Sequence, residues 1–356
     1  MSATLAPLPL VPRLVPLIWG GAALVQRFGK HGDASERIGE SWECWDGNAV
    51  AGGVHAGATL AALRAQLGSG LTGTLDPALP FPLLTKFIDA RDALSVQVHP
   101  DDAYANRVEA QPNGKTECWY ILAADPGASL VLGWLHATSR DEYRERVRDG
   151  TLAAILRRVP VAAGDVFYLP AGTLHAIGAG IVLYEVQQTS DLTYRIFDWN
   201  RVGADGKPRA LHVDKAADVL DFGAGQRVAQ AALIESDGAS ERALLVADAR
   251  FVVERLRLGP AGLAVELDDL PLVVQALEAP LRIESSAPAI DLPAYAVACV
   301  PAGLGACTIL PVTAGGSRPS AILAAPSPGR PRIEQRLDRA GIAGDARAAF
   351  LAQFGW

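Results

Sequence analysis

The chain reads as a mainly β protein, built as a sandwich or barrel with helices as excursions, and three observations lead there. Its apolar segments are brief, broken by 24 Pro and 35 Gly in 356 residues, a rhythm of short strands and turns that a helical bundle lacks. Half of the residues are hydrophobic, enough to fill substantial cores in a chain long enough for two domains. Only 20% are charged, with a net charge of −7. That balance argues against nucleic acid or an anionic membrane as the main partner, yet a locally basic pocket on an acidic protein still suits a small anionic substrate.

The elements follow in order. Residues 1–18 are apolar but carry Pro7, Pro9, Pro12 and Pro16 and no basic leader, so no signal peptide is predicted. Trp19-Gly-Gly and Ile38-Gly-Glu40-Ser-Trp42-Glu43 form a loop-and-strand region. Leu60, Leu63 and Leu67 give residues 57–67 a helical spacing. Residues 83–89 and 94–99 are strands, and Asp101-Asp102 opens a short helix with an acidic first turn. Strands are expected at 118–122 and 129–133. Ser139-Arg-Asp-Glu142 is a capping box for a helix to about Arg148 with a solvated face, and a second helix is expected near 152–158. Residues 165–169, 175–177, 181–187 and 193–198 are strand-like and punctuated by glycine.

A boundary is expected at Phe222-Gly-Ala-Gly-Gln226, followed by a second set of strands at 243–247, 251–256, 264–267, 272–276 and 281–284. The uncharged run 292–317 is interrupted by Pro293, Pro301, Gly303, Gly305 and Pro311, so it reads as buried strands and turns rather than a membrane span. Within it, Pro301-Ala-Gly303-Leu-Gly-Ala306 repeats Pro170-Ala-Gly172-Thr-Leu-His175, with Ala306 where the histidine stood. Ala325-Pro-Ser-Pro-Gly-Arg-Pro331 is a linker to a helical tail ending in Phe350, Leu351, Phe354 and Trp356. The four cysteines form no C-x-x-C pair, which disfavours a thiolate zinc knuckle and suits a reducing cytoplasm.

The chemistry concentrates in three segments. Gln97-Val-His99-Pro100, Lys115-Thr-Glu117 and Gly164-Asp-Val-Phe-Tyr-Leu-Pro170-Ala-Gly172-Thr-Leu-His175 offer two imidazoles, a carboxylate and an amide, a first shell for a divalent metal. Strand alternation puts Gln97 and His99 on one face, and the Pro-Ala-Gly turn lets His175 return from a neighbouring strand. Three protein ligands leave a position open, as a catalytic zinc requires. Lysine is scarce: of Lys30, Lys86, Lys115, Lys207 and Lys215, two fall in this region, where a compact ammonium or titratable amine has a use. His31, His55, His136 and His212 read as ordinary core or surface histidines, and Trp42 and Trp119 as core or pocket wall.

Gly164-x5-Pro170-x-Gly172-x2-His175 resembles the second cupin motif, and Gln97-x-His99 followed by Glu117 resembles the first, with Gln in place of its usual first histidine. With Ile38-Gly-Glu-Ser-Trp-Glu43, Leu94-Ser-Val-Gln-Val-His-Pro-Asp-Asp102, Gly114-Lys-Thr-Glu117 and Ser190-Asp-Leu-Thr-Tyr-Arg195, the chain is similar to type I mannose-6-phosphate isomerases of the short bacterial form. The likeness runs over about residues 15–220. It implies two cupin-type (jelly-roll) barrels with a small helical insertion: 1–222 as a metal-binding catalytic domain with a helical excursion at about 138–158, 228–325 as a metal-free second barrel, and 326–356 as linker and tail.

The resemblance also implies a reaction, the zinc-dependent interconversion of mannose 6-phosphate and fructose 6-phosphate through a cis-enediol in the cytoplasm. One zinc per chain would be held by His99, Glu117 and His175 with Gln97 as a fourth ligand. Arg195 and Lys115 take catalytic positions, Lys86 and Ser95 substrate contacts; Cys118 departs from the Met expected there. The proton-shuttling base is not assigned: Lys115 could serve, or could bind phosphate as a simple cation. Two rivals use the same residues. A two-histidine, one-carboxylate set could hold iron in a cupin dioxygenase, and a cupin sugar-binding module could keep the fold without turnover.

Overall fold

The structure is a computed structural model that describes residues 4–202, 206–223, 232–236, 238–312 and 318–356. The boundary expected at 222–226 falls mostly outside them. The strands form four antiparallel sheets. A six-stranded sheet runs in the order Arg13–Gly21, Ile38–Cys44, Leu83–Ala90, Ile181–Gln188, Glu117–Ala124, Val166–Leu169. It faces a five-stranded sheet ordered Tyr194–Phe197, Val96–Val98, His175–Ala176, Ser129–Trp134, Leu156–Pro160. Trp119, Ile121, Leu183 and Ile88 from the first meet Leu130, Leu132 and Ile177 beside the second in one apolar core.

The second half repeats this plan. A seven-stranded sheet runs Leu8–Pro9, Val297–Val300, Leu272–Ala276, Ser320–Pro326, Phe251–Arg257, Glu241–Ala247, Ala232–Ser236. Without Leu8–Pro9 and read from its far end, its connectivity matches the six-stranded sheet strand for strand. It faces Leu263–Glu266, Ala306–Pro311, Leu281–Glu284, Ile290–Leu292, in the order of the five-stranded sheet without its Tyr194–Phe197 edge. The recurrent Pro-Ala-Gly turns do the same job in both halves. Thr173 N–H donates to Pro170 O and Leu304 N–H to Pro301 O, each at 3.1 Å, where the chain crosses from the large sheet to the small one. Ala306 therefore begins the strand that corresponds to the one begun by His175.

The outer faces of the two large sheets pack together. Phe87, Cys118, Tyr184 and Val186 share a core with Val246, Phe251, Val273 and Cys299, and the C-terminal helices Arg330–Arg339 and Gly344–Ala352 add Ile333, Leu337, Phe350 and Phe354. Leu83–Ala90 and Ile181–Gln188 are thus buried on both faces along their whole length, which is why neither alternates apolar with polar. The expected barrels are two-sheet sandwiches: among the described strands no ladder joins a sheet to the one it faces.

Two helical expectations need correction. Residues 152–158 form a 3-10 turn, Leu152–Ile155, and then a strand, Leu156–Pro160, because pairing with Ser129–Trp134 outweighs the local pattern. The helix Val213–Val219 was not anticipated. Its Ala216 and Ala217 are small enough to lie flat beneath Tyr104, Tyr143 and Tyr194 on the outside of the five-stranded sheet, where Arg140–Arg148 also packs.

Candidate metal centre and cavity

Strand register assembles the centre. Gln97 lies opposite His175 on one side and Arg195 on the other, so all three side chains leave the five-stranded sheet by its inner face. On the six-stranded sheet Glu117 is opposite Gln187, and two residues along, Trp119, Glu185, Lys86 and Trp42 are in register across four strands. Both inner faces thus deliver polar groups to the same interior.

His99, Glu117 and His175 are each at most 2% exposed, and their donor atoms all lie within 4.8 Å of one another. His99 Nε2 is 3.3 Å from Glu117 Oε1 and His175 Nε2 3.8 Å from Oε2. A tetrahedral zinc with bonds of about 2.0–2.1 Å separates its donors by about 3.3 Å, so the set is close to that size. Nδ1–H of His99 donates to Leu192 O at 2.7 Å and Nδ1–H of His175 to Thr173 O at 2.9 Å. A carbonyl only accepts, so both rings must carry their proton on Nδ1, leaving the Nε2 lone pairs turned to the shared point.

Protonation agrees. Burial, with Lys115 beside it, lowers the pKa of His99, and burial with its neighbour His99 lowers that of His175 to about 3. Burial alone would raise Glu117, but Lys115 and His99 outweigh it and hold the carboxyl well below the usual range. Neutral imidazoles and an ionised carboxylate are what a metal needs. Neither Glu117 oxygen has a donor in hydrogen-bonding geometry, although Lys115 Nζ sits 2.5 Å from Oε1. A buried carboxylate between two imidazole lone pairs, with Lys115 as its ion-pair partner, fits a cation.

Above this floor opens a cavity of about 700 Å³, lined by Gln97, Lys115, Lys86, Ser95, Glu185, Arg195 and a wall of Trp19, Trp42, Trp45 and Trp119. Arg195 is half-buried; its Nε donates to Ser95 Oγ at 3.3 Å and Nη1 to Ala210 O at 3.1 Å. No described carboxylate pairs with it, whereas neighbouring Arg209 and Arg201 are both committed to Asp198. Burial and the charge of Arg209 depress its pKa, the mark of a cation short of counter-charge.

Comparison with known proteins identifies the architecture. Residues 8–157 match the model of the phosphomannose isomerase type I catalytic domain. A mannose-6-phosphate isomerase of Streptococcus mutans is 45% identical over 221 residues, 61% of this chain and 68% of that protein. The chain belongs to the type I phosphomannose isomerase family. A solved mannose 6-phosphate isomerase of Bacillus subtilis superposes with a TM-score of 0.81 at 31% identity, covering 90% of this chain and 99% of that one. A zinc-bound mannose 6-phosphate isomerase shares the fold at a TM-score of 0.70 and 14% identity, with 90% and 99% covered.

All eight residues singled out from the sequence converge here. The amide of Gln97 has its Nε2 3.2 Å from His175 Nε2; rotated about its last bond it would offer Oε1 instead. Ser95 positions Arg195. Lys86 is buried between Glu40 at 3.6 Å and Glu185 at 3.5 Å, and these carboxylates keep its pKa raised in spite of burial. Two members were missed. Glu185, 3% exposed, accepts from Trp119 Nε1 at 2.9 Å, and burial, reinforced by the charge of Glu117, pushes its carboxyl up to about 6. The available signal was a carboxylate inside the apolar run 181–187, in phase with Leu183 and Gln187. His212, read as an ordinary histidine, lines the cavity, and its Nδ1 accepts from the Arg195 backbone N–H at 3.1 Å. Nothing in its local sequence marks it.

Proposed function

We propose that the chain interconverts mannose 6-phosphate and fructose 6-phosphate, binding one zinc through His99, Glu117 and His175 with Gln97 as fourth ligand. The observation that supports the reading is an arginine without a described carboxylate partner in a cavity whose lining also includes Gln97 and Lys115, the neighbours of a buried His-Glu-His donor set. The catalytic half lies within residues 1–222, apart from Leu8–Pro9 on the edge of the second sandwich, the metal-free half is 228–325, and 326–356 the linker and tail; the working compartment is the cytoplasm.

When bound, the zinc supplies Lewis-acid polarisation of the sugar carbonyl. The chain's own residues do the rest. Arg195 meets the negative charge that develops on O1 and O2 as the enediol forms; Ser95 Oγ and Ala210 O hold its fork, and His212 its backbone N–H, before charge appears. The proton moving between the adjacent carbons needs a group that titrates near neutrality. Glu185, whose buried Oε1 lies 3.5 Å from Lys86 Nζ, meets that requirement, and Lys115, beside Glu117, is the second candidate by position alone. Asp198 is shared by Arg201 and Arg209, which leaves that group a net positive charge to suit the phosphate, while the tryptophan wall excludes water.

A coupled assay with mannose 6-phosphate beside metal analysis tests the reading. Turnover with about one zinc per chain is expected, and Glu117→Ala should lose metal and activity while staying folded. Full activity in metal-free protein would remove the zinc from the reaction; bound iron with oxygen-dependent turnover would replace it with a dioxygenase.

A further inference from the structure

The loop before Glu117 is held at every amide. Gly114 N–H donates to Asp102 Oδ1 at 2.8 Å, Lys115 N–H to Pro100 O at 3.0 Å, and Thr116 N–H to Gln188 Oε1 at 3.0 Å. Gln188 Nε2 donates back to Asp102 Oδ1 at 2.9 Å, closing a bracket around residues 114–116. A Cβ on Gly114 would run into the backbone of Pro100 and Asp101, so the loop lies directly on the segment that begins with His99. Asp102 is therefore more than a helix opener: Asp101 is the N-cap, accepting from Tyr104 N–H at 2.7 Å, and Asp102 turns to the loop.

The other oxygen of Asp102 faces the second sandwich, with Arg250 Nε 3.5 Å from Oδ2. Arg250 belongs to the turn between Glu241–Ala247 and Phe251–Arg257. Asp248 shapes that turn: its Oδ1 accepts from Arg250 N–H at 2.8 Å and its Oδ2 lies 3.2 Å from Nη1. The same Asp248 Oδ2 accepts from Tyr168 OH at 2.7 Å, and Tyr168 is opposite Cys118, the residue after Glu117. One turn of the second sandwich thus reaches both flanks of the Lys115–Glu117 segment.

We propose that the Asp248–Arg250 turn is a positioning device: through Asp102 on one side and Tyr168 on the other, the second sandwich sets the backbone that aims Lys115 and Glu117. The assignment of work to those two residues rests on the isomerase reading; the mechanical link does not. Arg250 and Asp102 are each more than a third exposed, and pairs of that kind add little to global stability. Removing the guanidinium also takes a partner from buried Asp248, which keeps the backbone N–H of residue 250 and the Tyr168 hydroxyl as donors, so aiming is separated from folding by comparing the 112–118 segment with the whole chain.

The test compares Arg250→Ala, Arg250→Lys and, as a control elsewhere on the second sandwich, Arg282→Ala, whose exposed partner is Asp291. In metal-free protein, amide hydrogen exchange of the 112–118 peptide should quicken about 5- to 10-fold in Arg250→Ala, recover in part in Arg250→Lys, and stay at the parental rate in Arg282→Ala. In zinc-loaded protein kcat should fall about 5- to 10-fold with KM changed less than about 2-fold, and zinc release to a chelator should accelerate in step. An unchanged 112–118 peptide, or one that quickens only as much as the whole chain, overturns the proposal. Faster exchange in a protein whose parent shows no isomerase turnover would uphold the link and sink the isomerase reading instead.

Discussion

At the scale of single residues, Arg195 carries the sharpest expectation. Among the described residues its guanidinium bonds to a hydroxyl and a carbonyl and to no carboxylate, so removing it strands no described acidic partner. Arg195→Ala should lower kcat by about 10²–10³-fold, with zinc content and melting temperature nearly unchanged, and Arg195→Lys should recover only part because the planar fork is lost. A variant that keeps kcat and melts early would make it a structural residue. Glu185 links pH to stability. Its carboxyl is raised to about 6 from 4.5, so the folded state holds the proton more tightly than the unfolded chain. The resulting stabilisation is complete below pH 4.5 and is lost as pH rises through 6, about 2 kcal/mol in all. His99 and His175, kept neutral by burial, stabilise in the opposite sense over the same interval, so in denaturant titrations of metal-free protein Glu185→Gln, neutral at both values, should gain more stability than the parent between pH 4.5 and 7.5 by about that amount.

At the scale of elements, local capping rules fix helix starts, whereas the linker expected at 325–331 is strand up to Pro326 and helix from Arg330. Ser139 Oγ accepts from Glu142 N–H at 3.1 Å, as a capping box requires, although the Glu142 carboxylate turns to Thr138 and Arg146 rather than back to the cap. Thr59 caps Leu60–Leu67 in the same way. Where pairing with a distant strand decides, local reading failed, as at Leu156–Pro160. The short helix Ser69–Thr72 shows how tightly elements of the two halves meet. Gly73 ends it at φ +63, and a Cβ there would overlap Asp269 O, the atom that accepts from Thr74 N–H at 3.0 Å. Gly73→Ala combines left-handed strain with a backbone collision, so a loss of about 2–4 kcal/mol is expected in chemical denaturation, without a change in KM.

At the scale of the whole molecule, the tail joins the halves. Phe354 packs edge-on to Tyr168 with ring centroids 5.2 Å apart, and Trp356 Nε1–H donates to Ala247 O. Deleting residues 343–356 exposes Phe350, Leu351 and Phe354 sites in the core between the large sheets; the chain should melt several degrees lower and bind an apolar dye. Three of the five lysines also prove to be buried partners of carboxylates: Lys30 with Glu43, Lys86 with Glu40 and Glu185, Lys115 with Glu117. Their scarcity did point to particular tasks, but two of those three tasks lie at the centre and one at the seam, where Lys30 also donates to Tyr295 O.

The sequence by itself determined the strand-and-turn rhythm, the repeated Pro-Ala-Gly crossing and the donor set, because each is written in neighbouring residues: alternation, turn chemistry and motif spacing act over a few positions. Tertiary structure alone decided which faces meet. Alternation says that Glu185 shares a face of its strand with Leu183 and Gln187, not that this face meets Glu117 or looks onto Gln97, His175 and Arg195 rather than onto the second sandwich. That choice depends on how the four sheets stack and on register between strands far apart in the chain, set by burial summed over many residues. The contacts of His212 with Arg195, of Arg250 with Asp102 and of Asp248 with Tyr168 arise only in the folded chain, so no pattern in their own segments announces them.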